Sequence, residues 1–275
     1  MKRNIIIRIV SGILALTLIA GLLFVAGAFI GNPISLLIAN RAAKDYVQEN
    51  YAFLDLELEK AKYDFKTSNY WIRAISKTSK DTKFSIYYSN GKIIRDDYKS
   101  NVLSGFNTLY RLSQEYSLLA KDILNEELGY KNINISVIYG KEKYENTSDI
   151  VKLDMDFDRT LPLDPQIIID IDLEDNSLEK ISEILIDIHK VFLTNNCVFK
   201  EYSLYSENNK GKIVNINGVK PEDIESGELL QILIEAKDWE DKEKKEIQEK
   251  IDQGEAIERY ERDSSQNGIS IFIKE

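Results

Sequence analysis

From Ile9 to Ile30 the chain runs for 22 residues without a charged side chain, behind a leader that carries Lys2, Arg3 and Arg8. At 1.5 Å per residue such a run, if helical, spans about 33 Å, close to the hydrocarbon thickness of a bilayer. The bias of Lys and Arg toward the cytoplasmic side then predicts the N-terminus in the cytoplasm and the body outside, in a cell membrane crossed once. The competing reading is a cleaved secretory signal, because Ala26-Gly27-Ala28 is a small-residue cleavage pattern. The apolar run is longer than a usual signal core, which favours a retained anchor. On that reading residues 9–30 have the lipid bilayer as their partner.

The rest of the chain is acidic, since the whole carries a net charge of −10 while its first 30 residues hold three cations and no acid. Phosphate contact needs a basic footprint, so nucleic acid is excluded as a partner. A single cysteine, Cys197, forbids an intramolecular disulfide, and the single histidine, His189, forbids any two-histidine metal site.

Patterning predicts an α+β fold: one N-terminal transmembrane helix followed by two helix-covered antiparallel-sheet modules. The expected divisions are residues 1–31 as cytoplasmic stub and anchor, 32–128 as an α-β-β-β-α module, and 129–275 as a second α+β module with a charged C-terminal helix and a closing strand. Asn32-Pro33 reads as an N-cap with proline at the first helical position. Leu54, Leu56 and Leu58 alternate with acids as a half-buried strand, and a one-residue slip of the apolar phase predicts a turn or bulge near Lys60. Asn90-Gly91 between SIYYS and KIIRD is a hairpin signal, because a type I′ turn needs positive φ twice. Leu109, Leu112, Tyr116, Leu119 and Ile123 step by three and four, predicting a helix over residues 102–128 that covers the first sheet. Strands are expected near 132–139, 150–158 and 166–173, a helix through Leu178 to Phe192, further strands near 198–205 and 212–216, and a closing strand after Asn267-Gly268.

Chemistry is sparse. Asp154, Asp156 and Asp158, then Asp170 and Asp172, alternate with apolar residues, which on paired strands gathers carboxylates on one sheet face. Their mutual repulsion invites a divalent cation, and weak Ca²⁺ or Mg²⁺ binding is the one cofactor expectation; the bland reading is a polar outer face. The spacing is not an EF-hand, since Arg159 stands where the turn glycine belongs. His189 and Cys197 read as a boundary residue and a small buried hydrophobe, and no nucleophile elbow, dinucleotide fingerprint or P-loop occurs. The tyrosines and tryptophan at Tyr63, Tyr70, Trp71, Tyr87, Tyr88 and Tyr98 read as core and sheet packing with some rings left for a glycan or peptide contact. Asn134-Ile135-Ser136 and Asn146-Thr147-Ser148 are glycosylation sequons, meaningful only in a eukaryotic secretory route.

Gly31-Asn32-Pro33-Ile34-Ser35, Ala42-Ala43-Lys44-Asp45-Tyr46, Tyr63-Asp64-Phe65-Lys66, Asp81-Thr82 with Phe84, Asp96-Asp97-Tyr98 and Ser104-Gly105 with Asn107-Thr108 and Arg111-Leu112 follow one another in order. With them the chain resembles the YfjL-like family of Gram-positive bacterial membrane proteins, most clearly over residues 31–128. The helix-then-meander start is also similar to a PepSY-type module, a class associated with inhibition or sensing near the envelope. Neither resemblance implies catalytic residues. The expected role is a non-catalytic binding or regulatory module at the cell envelope, with an envelope protein or wall ligand as partner. The alternatives are a carboxylate-based cell-wall hydrolase and a structural partner of a membrane complex.

Overall fold

A computed structural model describes residues 10–22, 29, 31–130, 132–139, 150–253 and 268–274. Residues 10–22 are helical and exposed. No helix among the described residues is long and apolar enough to cross a membrane. This overturns the single transmembrane helix, and with it the cell-membrane placement and extracytoplasmic body that rested on it. The basic leader, Ala26-Gly27-Ala28 and the sequon at Asn146 lie outside the described residues. What stands is an α+β chain with two sheets, divided into two compact units: residues 1–108 with 151–154, and residues 109–150 with 155–275.

The first unit starts where its sequence says a helix should. The Asn32 side chain accepts the Ile34 amide at 2.9 Å and Pro33 occupies the first turn of helix α1, Pro33–Asn50. Ala39 and Ala43 are fully buried, so the helix lies close on its sheet through small side chains. That sheet is wholly antiparallel: β1 (Leu56–Leu58) and β2 (Lys62–Asp64) both pair with β3 (Asn69–Ser76), followed by β4 (Lys83–Ser89) and β5 (Lys92–Asp96). The phase slip at Lys60 is the break between β1 and β2, which share β3 end to end. Asn90 and Gly91 turn β4 into β5 with φ of 50° and 84°. Tyr70, Ile72 and Ala74 on β3 and Phe84, Ile86 and Tyr88 on β4 bury alternate side chains against α1. Each fully buried isoleucine contributes about 1.5–3 kcal/mol. A larger residue at Ala43 would push the helix off this face at a cost of about 1–3 kcal/mol.

The second unit is covered by helix α2, Phe106–Leu128, whose buried stripe is Leu109, Leu112, Tyr116, Ala120 and Leu124. The predicted stripe is present, but it packs on the second sheet: Ser113 Oγ donates to the Val137 carbonyl, and Ser117 Oγ accepts the Val137 amide at 2.8 Å. Periodicity finds an apolar face without saying which sheet will cover it. The sheet runs β10-β9-β8-β7-β6, with β6 (Ile133–Tyr139), β7 (Pro165–Ile171), β8 (Glu201–Glu207), β9 (Ile213–Val219) and β10 (Ser270–Lys274). It is not purely antiparallel as expected. β7 and β8 are parallel, joined through helix α3, Leu178–Thr194, because two neighbouring parallel strands need a long crossover. Ser177 caps α3 by accepting the Lys180 amide, and Ile181, Ile184, Leu185, Ile188 and Phe192 bury its apolar stripe. A short helix α4 (Pro221–Glu225) and the long α5 (Leu229–Asp252) follow, α5 burying Leu229 and Leu233 before it turns to charge.

Candidate binding surface

The expected carboxylate array forms only in part on strands: Asp170 lies on β7, whereas Asp154, Asp156 and Asp158 do not lie on a strand. Residues 151–158 are loop and turn, and Asp154 takes a φ of 61°. In the first unit the Asp154 carboxylate accepts the Ser79 hydroxyl and the Asp81 amide, each at 2.9 Å, while the Asp154 amide donates to Asp81 Oδ2 at 3.1 Å. In the second unit Asp158 accepts the Thr160 hydroxyl at 2.7 Å and amide at 2.8 Å, which hold its carboxyl below the usual range. Asp156 and Asp172 are exposed. Asp170 is half-buried opposite Tyr205; partial desolvation, then the charges of Glu207, Asp170 and Asp172, raise that phenol. No group of three or more His, Cys, Asp or Glu among the described residues could hold a metal ion.

His189 and Cys197 do not meet as a dyad. Both nitrogens of the buried imidazole are engaged elsewhere, Nδ1 with Tyr202 Oη at 2.8 Å and Nε2 with Glu225 Oε1 at 3.1 Å. Cys197 is buried, its thiol 3.7 Å from the Asn195 carbonyl. Burial first, and then Cys197 and Glu225, push the Tyr202 phenol up, so it stays protonated.

The tyrosine-rich segment divides by the pleat of the first sheet. Tyr70 and Tyr88 face α1, while Trp71 and Tyr87 lie on the opposite face. The register sets four side chains in one row across four strands: Lys62 opposite Trp71, Trp71 opposite Tyr87, Tyr87 opposite Arg95. Lys62 Nζ lies 4.9 Å from the Trp71 ring centroid, and the Arg95 guanidinium lies 3.7 Å from that of Tyr87. Asp97 holds the end of the row, accepting Tyr87 Oη and Arg95 Nη1 at 2.8 Å each. Desolvation and then Asp97 raise the Tyr87 phenol. Arg73 and Ser85 pair in the next row, and beyond them Glu57, Ile75 and Lys83. Glu59 accepts Lys62 Nζ at 3.2 Å, so Lys62, Arg73, Lys83 and Arg95 share this sheet face with the Trp71 and Tyr87 rings and with Glu57, Glu59 and Asp97, on a chain that is otherwise strongly acidic. No local motif announces the row, because its members are 33 residues apart at the extremes and meet only through strand register.

A YfjL-like N-terminal domain matches residues 6–97, and a YfjL-like C-terminal domain matches residues 115–235. The chain belongs to the YfjL-like family. The likeness therefore continues well past residue 128, and the cation and aromatic row falls wholly within the YfjL-like N-terminal domain. No curated protein and no solved structure matches the chain.

Proposed function

We propose that this YfjL-like chain is a non-catalytic binding protein whose first sheet receives an acidic polypeptide on the face bearing Lys62, Trp71, Tyr87 and Arg95. The cross-strand row is the observation that carries the reading. Arg, Trp and Tyr are the side chains that concentrate binding energy at protein interfaces, and a cationic face on an acidic chain selects an anionic partner by charge. A pyranose would have to displace Lys62 and Arg95 from the two rings in order to stack on them, whereas glutamate and aspartate side chains can share or exchange with Glu59 and Asp97 on the same cations, leaving the rings covered. That favours a peptide over a glycan.

The test uses the full chain with poly-L-glutamate, polygalacturonate and a neutral glucan as probes, followed by Trp fluorescence in a Trp239→Phe background. Poly-L-glutamate should bind, with affinity falling as salt rises, and the double variant Lys62→Glu/Arg73→Glu should weaken it by about tenfold or more. Both side chains are exposed, so the variant keeps its core. Equal binding of polygalacturonate would reduce the surface to a general polyanion site. Failure of all three probes would remove the reading.

A further inference from the structure

A cavity lies within the YfjL-like C-terminal domain, between the turn that enters β7 and the segment that leads from α3 to β8. Its volume is about 350 Å³, at the small end of the range for ligand pockets. Leu161, Pro162, Pro165 and Val198 supply apolar walls, and Arg159 and Lys200 supply charge. Two of the four prolines of the chain stand in this wall, which fixes its backbone before any ligand arrives. The two walls are tied together by the Lys200 amide, which donates to the Pro165 carbonyl at 2.8 Å. Asp164 and Asn196 each turn the chain in the left-handed region, with φ of 46° and 53°, one in each wall.

The charges specify the ligand. Arg159 spends one donor on the Asn195 carbonyl at 2.8 Å, which anchors a guanidinium that has five. Lys200 reaches Asp164 only at 3.4 Å, with its side chain 66% exposed, so its ammonium is weakly held. Among the lining residues two cations, Arg159 and Lys200, stand against one carboxylate, Asp164, which favours an anionic group; the neighbouring Asp158 turns to the Thr160 hydroxyl and amide. Val198 stands 63% exposed at the mouth, an apolar side chain that a bound aliphatic tail would cover.

We infer that this cavity binds a small aliphatic monocarboxylate, its carboxylate between Arg159 and Lys200 and its tail against Leu161, Pro162 and Val198. The site is independent of the sheet face in the other unit, and its failure leaves that reading untouched. The experiment titrates the full chain with hexanoate, hexylamine and hexanol, followed by amide shifts in residues 159–165 and 196–200. Hexanoate should saturate these shifts while the amine does not. Lys200→Gln should weaken hexanoate by about fivefold, the loss expected for one exposed charge pair, and Val198→Ser should weaken it independently of charge. Unchanged melting temperatures would certify that both variants are folded. No saturation by hexanoate at tens of millimolar, equal shifts from the amine, or wild-type affinity in both variants would overturn the assignment.

Discussion

Ser117 Oγ accepts the backbone amide of Val137 at 2.8 Å, and Ser113, one helical turn earlier, donates its hydroxyl to the carbonyl of that same valine. Val137 sits in β6, the last strand in the sheet order, so helix α2 supplies by side chain what a further strand would supply by backbone. Both serines are buried, and Ser117 also donates to the Ser113 carbonyl at 2.7 Å.

Replacing either serine by alanine leaves a buried backbone group of Val137 without its partner. Ser117→Ala should cost about 1–3 kcal/mol in denaturant unfolding, and Ser113→Ala/Ser117→Ala should also raise light scattering on storage as an unpaired strand edge is bared. A double variant as stable and as clear as the parent would show that the two bonds are incidental.

Alkaline stability should depend on Asp96. Tyr46 Oη and Tyr51 Oη both donate to Asp96 Oδ2, at 2.5 and 2.8 Å, and the Tyr98 amide donates to Oδ1. Burial first, then Asp96, pushes Tyr46 up to about 12 from an ordinary 10.0 and raises Tyr51 in the same direction. A raised folded-state value means the protonated phenol is favoured by the fold. The stabilisation is therefore complete below pH 10 and is lost as pH climbs through about 12. The denaturant midpoint should fall over that window in the parent and fall less steeply in Tyr46→Phe/Tyr51→Phe; identical slopes would contradict the sign.

Among the described glycines Gly218 has the least room. Its φ is 86°, and a Cβ there would lie 2.5 Å from the Gly268 carbonyl oxygen, next to the start of β10. Gly211 has a φ of 82° with open space around it. Gly211→Ala should cost only the left-handed penalty of about 1–2 kcal/mol, while Gly218→Ala should cost more and accelerate amide exchange across Ile271–Lys274. Equal costs would mean that β10 yields without resistance.

Asp154 offers a test of side-chain capping against charge. Asp154→Asn keeps an oxygen for Ser79 and Asp81 and tolerates positive φ, so it should change stability by less than about 1 kcal/mol. Asp154→Ala removes the acceptor and should cost about 1–3 kcal/mol. If the two variants melt alike, the carboxylate oxygens do not hold the 79–81 turn.

Features that a few adjacent residues decide were readable in the sequence: the Asn32 cap, the Asn90-Gly91 turn, the apolar stripe of α3, and the terminal strand that pairs with β9. Features decided at long range were not. Asp154, Asp156 and Asp158 alternate as a strand would, yet Asp154 and Asp158 satisfy nearby turn donors, a local option open to any short carboxylate side chain. The parallel pairing of β7 with β8 has no composition of its own. The Lys62 to Arg95 row was legible only as scattered aromatics, because a shift of one residue in any strand would turn its members to the other face. The apolar run at 9–30 has the composition of a bilayer span without a continuous described helix of that length.

His189 is the only imidazole in the chain, and it is clamped between β8 and α4 through Tyr202 and Glu225. The molecule therefore carries a built-in spectroscopic reporter. One set of ring resonances, recorded without any label or substitution, follows whether the short helix is seated on α3, in a spectrum where no second histidine can overlap it.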